Sequence, residues 1–177
     1  MSQLTGKKIA FLSETGFEEV ELTEPKKALE QAGAQVEIVS PAKDTIKSWD
    51  QDHWGFEVKV DKHVSTVKSS DYDALVLPGG VINPDKLRRS EKAVNFIQSF
   101  FEEGKTVAAI CHAPQSLIEA DVVKGRKMTS FHSIQTDLKN AGAQWVNEEL
   151  VFDQQLITSR NPDDLPAFCK KIIEVLA

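Results

Sequence analysis

The sequence lacks the features that mark secreted, membrane-embedded or nucleic-acid-binding proteins. It has two cysteines, Cys111 and Cys169, and no C-x-x-C pair, so neither a disulfide framework nor a cysteine zinc site is predicted. The apolar stretch near its start, residues 9–12, is too short for a signal peptide, and no run elsewhere is long enough to span a membrane. Acidic residues outnumber basic ones by 27 to 21, with no Lys/Arg cluster, so nucleic acid and anionic membranes are not expected as partners. A cytoplasmic protein is the expectation.

The composition is that of an ordinary globular protein. Hydrophobic residues make up 41% of 177 residues, enough for one sizeable core, so a single domain over residues 1–177 is expected. Short β-rich runs alternate with longer amphipathic ones, which predicts an α/β fold whose mostly parallel sheet has helices on both faces. Strands are predicted at residues 8–13, 36–40, 74–77 and 106–110, with an exposed hairpin between residues 46 and 60, further strands near residues 128, 145 and 150–158, and helices at 20–32, after 90, from 114 and from about 162.

Three loops follow predicted strands and carry polar or glycine residues, at 14–19, 78–80 and 111–112. In an open parallel sheet, ligands bind beyond the carboxyl ends of the strands. If these strands are neighbours, a carboxylate, a glycine turn and a thiol converge at one edge.

Cys111 has the sharpest local signal. In A-I-C-H-A, small residues stand two before and two after the cysteine at a strand-to-helix turn, which is the pattern of a nucleophile elbow. The following helix start is expected to lower the pKa of the thiol. The alternative interpretation is a small, buried, inert cysteine. For Cys169 that structural interpretation is favoured, because it shares a helical face with Leu165 and Ile172.

Several motifs in the same order resemble one family. GFEEVEL (16–22), ALVLPGG (74–80), AICHAPQSLIEADVVKGRKMTS (109–130) and SRNPDDLPAF (159–168) together resemble the PfpI intracellular cysteine protease family over nearly the whole chain. That family lies in the class I glutamine amidotransferase-like superfamily, with the parkinsonism-associated deglycase and cofactor-independent glyoxalases. The resemblance implies a flavodoxin-like three-layer sandwich with a nucleophile elbow at Cys111.

The same resemblance implies roles for individual residues. Cys111 is expected to be the nucleophile, with His112 as its neighbour and Glu18 as the buried acid beside the thiol. Such an acid helps a thiolate only if it is protonated, which requires burial; the alternative for Glu18 is an ordinary solvated carboxylate. The backbone amides of Gly79, Gly80 and His112 are expected to form an oxyanion hole, the alternative being a plain Gly-Gly turn.

Family members of the protease type complete the site with an acid from a neighbouring subunit just after the PGG turn. Asp85 is the matching position, so a homodimer or larger homo-oligomer is implied. Asp85 is one carbon shorter than the glutamate of some relatives. Without such a contact it is a loop or helix-capping aspartate.

Two departures from the superfamily pattern are informative. No histidine follows His132, so the His-x-Glu of true amidotransferases is missing and glutamine hydrolysis by that triad is excluded. Phe131-His132 stands where relatives often have Tyr-Pro or His-Pro. His53 and His63 lie in a polar stretch without zinc-ligand spacing, so no metal and no cofactor is expected.

The leading hypothesis is a cysteine-dependent stress-protection hydrolase of the PfpI type. It would act on a small reactive carbonyl or a glycated protein, as a glyoxalase or deglycase, or on a peptide substrate. The alternative is a redox sensor or chaperone-like stress protein that uses oxidation of Cys111. A third hypothesis, a non-catalytic flavodoxin-like module, has neither a G-x-G-x-x-G loop nor a phosphate-binding G-K-[ST] to support it.

Overall fold

The computed structural model describes residues 2–177, which form three sheets with helices packed around them. The strands are β1 (Lys8–Leu12), β2 (Phe17–Glu18), β3 (Gln35–Ser40), β4 (Thr45–Asp50), β5 (His53–Lys59), β6 (Lys62–His63), β7 (Ala74–Leu77), β8 (Thr106–Ile110), β9 (Lys127–Met128), β10 (Gln144–Trp145), β11 (Val151–Asp153) and β12 (Leu156–Ser159). The α-helices are α1 (Glu19–Gln31), α2 (Ile82–Arg88), α3 (Glu91–Glu102), α4 (Pro114–Glu119), α5 (Gln135–Asn140) and α6 (Leu165–Leu176). Among these helices none has the length and apolar character needed to cross a bilayer.

The central sheet has the strand order β11-β12-β8-β7-β1-β3-β6. All neighbouring pairs run parallel except β11 and β12, which form a hairpin. This confirms the predicted α/β fold with a mostly parallel sheet. The predicted strand at residues 150–158 is two strands, because residues 154 and 155 both have positive φ and reverse the chain.

Both faces of the sheet are covered, which explains why its strands are continuously apolar. Leu77 belongs to the core under α3, where Phe100 is fully buried. Val76 points to the other face and joins the core under α1 and α6, with Leu29 and Phe168. Burying each such side chain contributes about 1.5–3 kcal/mol to stability. Helix packing on both faces therefore fixes the position of the strands and of the loops at their carboxyl ends.

The central strands β1, β7 and β8 lie side by side, so the three loops predicted to converge do so. Asn83 fastens two of them together. Its Oδ1 accepts a hydrogen bond from the Glu14 amide at 2.8 Å, and its Nδ2 donates to the Pro78 carbonyl at 2.9 Å. Because Asn83 is fully buried, these bonds are shielded from water and fix the loop after β7 against the loop after β1.

The predicted hairpin is present as β4 and β5, but it is more than a surface excursion. β4 pairs in parallel with β2, placing Trp49 beside Glu18. The Gly16 amide donates to the Lys47 carbonyl at 2.8 Å and strengthens this attachment. The hairpin therefore stands as a wall next to the loop after β1.

Candidate active site

Cys111 directly follows β8 in a backbone conformation that side chains rarely adopt, with φ of 64°. Its amide donates to the Ser159 carbonyl at 3.1 Å, and its carbonyl accepts from the Phe131 amide at 2.9 Å. Ala109 and Ala113 on either side are buried, where larger side chains would be crowded. The predicted nucleophile elbow is therefore present, and hydrogen bonds to the end of β12 and to the segment after β9 hold it in its strained form.

Glu21, not Glu18, lies beside the thiol. The Glu21 side chain is fully buried, its Oε2 accepts a hydrogen bond from the Gly79 amide at 2.8 Å, and its Oε1 has no hydrogen-bond partner among residues 2–177; it lines the same pocket as Cys111. The phase of α1 explains the correction, because residues 21, 25 and 29 form one buried stripe at helical spacing and Glu21 stands at its head. Sequence reasoning missed this signal: an acidic residue that stands in line with the buried residues of a helix.

Glu18 occupies the helix-capping position of α1 and is only partly buried. One oxygen accepts a hydrogen bond from the Gln51 amide at 3.2 Å, at the tip of the β4–β5 hairpin. Burial raises the pKa of Glu18, and the Gln51 bond opposes that rise. The carboxyl thus faces the same pocket as Cys111 from the hairpin side.

The glycine turn after β7 brings two backbone amides close to Glu21 and Cys111. The Gly79 amide is taken by Glu21, which removes it from the predicted oxyanion hole. The amides of Gly80 and His112 oppose the rise that burial causes in the pKa of the Cys111 thiol. The donors closest to the nucleophile are therefore Gly80 and His112.

Neither glycine can be replaced without displacing backbone. A Cβ on Gly79 would stand 2.6 Å from the Ile110 carbonyl oxygen and 2.7 Å from the Cys111 Cβ. Gly80 has φ of 84°, and a Cβ there would stand 2.5 Å from the Gly16 carbonyl oxygen. This close approach brings Glu21, Gly80 and Cys111 together.

His112 is held on both sides of its ring. Its Nδ1 lies 3.1 Å from the Cys111 sulfur, and its Nε2 lies 3.1 Å from the Ser133 hydroxyl. The ring stacks on Phe131 with 4.6 Å between ring centroids, and the His132 ring lies tilted against Phe131 at 4.5 Å. Sequence reasoning missed Ser133, which lies 21 residues away and has no local signal.

Burial controls the protonation of the site. It raises the pKa of the Glu21 carboxyl to about 8, so this acid carries a proton at neutral pH. Burial also raises the pKa of the Cys111 thiol; the charge of Glu21 adds to this, and the Gly80 and His112 amides oppose it. The predicted lowering of the Cys111 pKa is therefore wrong in direction. The pKa of His112 is lowered by burial, with a smaller effect from His132, so its imidazole is neutral.

The Glu21 carboxyl and the Cys111 thiol influence each other's protonation, because a negative charge on one raises the pKa of the other. When Glu21 is protonated, it no longer repels a negative sulfur and can donate a hydrogen bond to it. The buried acid that the sequence suggested is thus present three residues later than expected.

A pocket of about 390 Å³ opens in front of Cys111. Its polar groups include Glu18, Gln51 and His112, and its apolar walls are Trp49, Val81, Ile82, Phe131 and Pro162. Such a pocket accepts a small, largely uncharged group next to the sulfur. Within residues 2–177, no three His, Cys, Asp or Glu side chains are grouped so as to hold a metal ion.

The other residues singled out from sequence lie outside this cluster. Asp85 is exposed in the first turn of α2. His53 is exposed and contacts Asp52, while the Nε2 of His63 lies 2.9 Å from the Pro41 carbonyl oxygen. Cys169 is half-buried on α6, where burial and the charge of Glu24 raise its pKa to about 11.

Comparison with known proteins identifies the family of the chain. The profile of the DJ-1/PfpI family matches residues 7–175. The chain belongs to the DJ-1/PfpI family. It is 44% identical to General stress protein 18 of Bacillus subtilis over 173 residues, covering 97% of this chain and 98% of that protein. It is also 44% identical to the Deglycase PfpI of Pyrococcus furiosus over 169 residues, covering 96% and 99%.

Solved structures of the family have the same fold. The crystal structure of Drosophila melanogaster DJ-1beta superposes with a TM-score of 0.87 at 30% identity, covering 97% of this chain and 90% of that one. The flavodoxin-like architecture is thereby confirmed. One DJ-1/PfpI relative is named for stress and an equally similar one for deglycation, so the pocket has to be used to choose a reaction.

Proposed function

We propose that this chain is a cysteine-dependent hydrolase that acts on a small reactive carbonyl or its adduct with a protein, as a glyoxalase or deglycase. One observation carries the proposal: the Cys111 sulfur lies 3.1 Å from the His112 Nδ1, at a strained turn, and shares one pocket with the buried acid Glu21 and with Gly80. A buried, merely structural cysteine has no need of these partners.

The chemistry follows from the positions of these groups. The sulfur adds to the aldehyde carbon of an α-oxoaldehyde, and the amides of Gly80 and His112 stabilise the negative oxygen that forms. A proton then leaves that carbon and returns to its neighbour, which converts the hemithioacetal into a thioester. Water cleaves the thioester, so a hydroxy acid is released and the thiol is restored without any oxidant or cofactor.

His112 is the proposed base for these proton transfers. If its Nε2–H donates to the Ser133 hydroxyl, its Nδ1 offers a lone pair to the Cys111 thiol 3.1 Å away. A neutral imidazole with a lowered pKa suits this role. Glu21, which is protonated at neutral pH, donates to the sulfur once the thiolate has formed.

Two further residues have proposed roles at the edge of the pocket. Glu18 contacts the substrate rather than the thiol, because it lines the pocket next to the hairpin, where it accepts a hydrogen bond from Gln51. Asp85 is exposed and free to approach a site on a second copy, which is consistent with a homodimer or larger assembly. Because both cysteines are free thiols, a reducing compartment suits the protein, and we place its activity in the cytoplasm.

The test compares Cys111→Ser with Cys169→Ser on three substrates: methylglyoxal without glutathione, a methylglyoxal-modified peptide and the same peptide unmodified. We expect Cys111→Ser to lose at least about a thousandfold in kcat/KM. Cys169→Ser should match the wild-type protein within about twofold. Full turnover by Cys111→Ser would refute the proposal, whereas cleavage of only the unmodified peptide would replace the carbonyl reaction by a peptidase.

A further inference from the structure

A second concavity adjoins the active site behind Phe131. It has a volume of about 330 Å³ and is lined by Ser130, Phe131, His132, Asn147, Arg160 and Asn161; we call it the Arg160 recess. Phe131 also lines the pocket of Cys111, and so does Pro162, the residue after Asn161. A substrate held at Cys111 therefore needs only to extend past Phe131 to enter the recess.

The side chains of the Arg160 recess have more free hydrogen-bond donors than free acceptors. The Asn147 Oδ1 accepts from Arg160 at 3.0 Å, and the Asn161 Oδ1 accepts from the Asp163 amide at 3.0 Å. Each oxygen thus has an internal partner, while among residues 2–177 neither side-chain NH₂ group makes a hydrogen bond. The free polar groups are mainly N–H donors, which match a group that consists of acceptor oxygens.

Arg160 is fixed in place rather than free to move. Its Nε and Nη2 donate to the two oxygens of Asp164 at 2.9 and 3.0 Å, and Asp164 is buried. This bidentate pair and the bond to Asn147 leave unused N–H groups on Nη1 and Nη2. The guanidinium is thereby preorganised to receive another acceptor.

Charge limits the strength of the site. Asp164 balances Arg160, and Glu149 also acts on it, so attraction comes from directed N–H donors and not from a net positive field. An isolated anion should therefore bind weakly. The same group should contribute more when a substrate is already tethered at Cys111, because its effective concentration is high.

We propose that the Arg160 recess is a subsite for a phosphate or carboxylate group carried by the carbonyl substrate of Cys111. The inference rests on the proposed function and deepens it: substrates with an acidic group a few atoms from the carbonyl are preferred over neutral ones. Phosphate and carboxylate share the acceptor chemistry that the recess requires.

The test uses Asn147→Asp, which keeps the oxygen that Arg160 binds but replaces the NH₂ donor by a negative acceptor. Asn140→Asp is the matched control, since Asn140 is exposed at the end of α5 and outside both cavities. Inorganic phosphate is titrated at constant ionic strength while NMR follows the side-chain N–H signals of Asn147, Asn161 and Arg160. In parallel, kcat/KM is measured for methylglyoxal and for 3-phosphooxy-2-oxopropanal.

We expect saturable shifts in the wild-type protein and in Asn140→Asp, weakened about tenfold or more in Asn147→Asp. The phosphorylated aldehyde should be favoured about tenfold by the wild-type protein, and Asn147→Asp should lose that preference. Shifts that do not saturate, or a substrate preference that Asn147→Asp retains, would overturn the subsite. Repeating the titration in Cys111→Ser separates the two proposals, because phosphate binding there does not depend on turnover.

Discussion

Glu18 and Glu21 stand three residues apart at the start of α1, yet they have different environments. Glu21 is fully buried and accepts a hydrogen bond from the Gly79 amide, whereas Glu18 is partly exposed and accepts one from the hairpin tip. Burial raises the pKa of both, and for Glu21 it reaches about 8. The difference in burial shows that helix phase decides which of two identical side chains is removed from water.

The largest expected difference between the two is catalytic. Glu21→Gln keeps the shape and a donor group but removes the ionisable proton, so we expect kcat on methylglyoxal to fall about a hundredfold. Glu18→Gln should leave kcat within about threefold and act mainly on KM, because Glu18 lines the pocket. Steady-state kinetics of both variants checks this, and a larger loss of kcat in Glu18→Gln would reverse the two assignments.

The pH dependence of folding sharpens the comparison. Because the pKa of Glu21 rises from 4.5 to about 8 on folding, the folded state binds this proton more tightly than the unfolded chain. The contribution of protonated Glu21 to the free energy of unfolding is complete below about pH 4.5 and is lost as the pH rises towards 8. Relative to Glu21→Gln, the wild-type free energy of unfolding should fall by up to about 1.4 kcal/mol per pH unit in this window.

Urea unfolding at pH 5, 6, 7 and 8 measures that slope for the wild-type protein, Glu21→Gln and Glu18→Gln. Glu18→Gln should differ less from the wild-type protein, since solvent screens its partly exposed carboxyl. Parallel curves for the wild-type protein and Glu21→Gln would contradict a buried, protonated Glu21.

The smallest effect on activity is expected from changes at Ser133, which contacts the His112 imidazole. Ser133→Ala removes the oxygen 3.1 Å from the His112 Nε2, and we expect a loss of about tenfold or less in kcat with KM unchanged. Ser133→Thr keeps the hydroxyl and should restore most of the activity. Because Ser133 is exposed, stability should change little, so equal losses in both variants would mean that the hydroxyl does not position His112.

Local patterns in the sequence were enough to predict the sheet and the elbow. The A-I-C-H-A turn lies at the end of β8, and the apolar runs at residues 74–77 and 106–110 became adjacent buried strands. These features depend on residues that are neighbours in sequence. Apolar runs therefore reveal the buried strands, and small residues around Cys111 reveal the elbow.

The choice between Glu18 and Glu21 depends on how α1 packs against the sheet, which a run of closely spaced acids obscures. The hydrogen bond from the Gly79 amide to Glu21 depends on where the Glu21 carboxyl group lies in the fold. The contact of Ser133 with His112, and the use of the hairpin as a pocket wall, join segments distant in sequence. No local pattern encodes such long-range contacts.

The left-handed backbone at Cys111 also bears on the stability of the chain. A cysteine in this conformation costs the fold about 1 kcal/mol or more relative to a residue that adopts it freely, and glycine would relieve that cost. Backbone strain alone therefore favours glycine at position 111. A chain with glycine there would have an unstrained turn but no thiol beside the His112 imidazole.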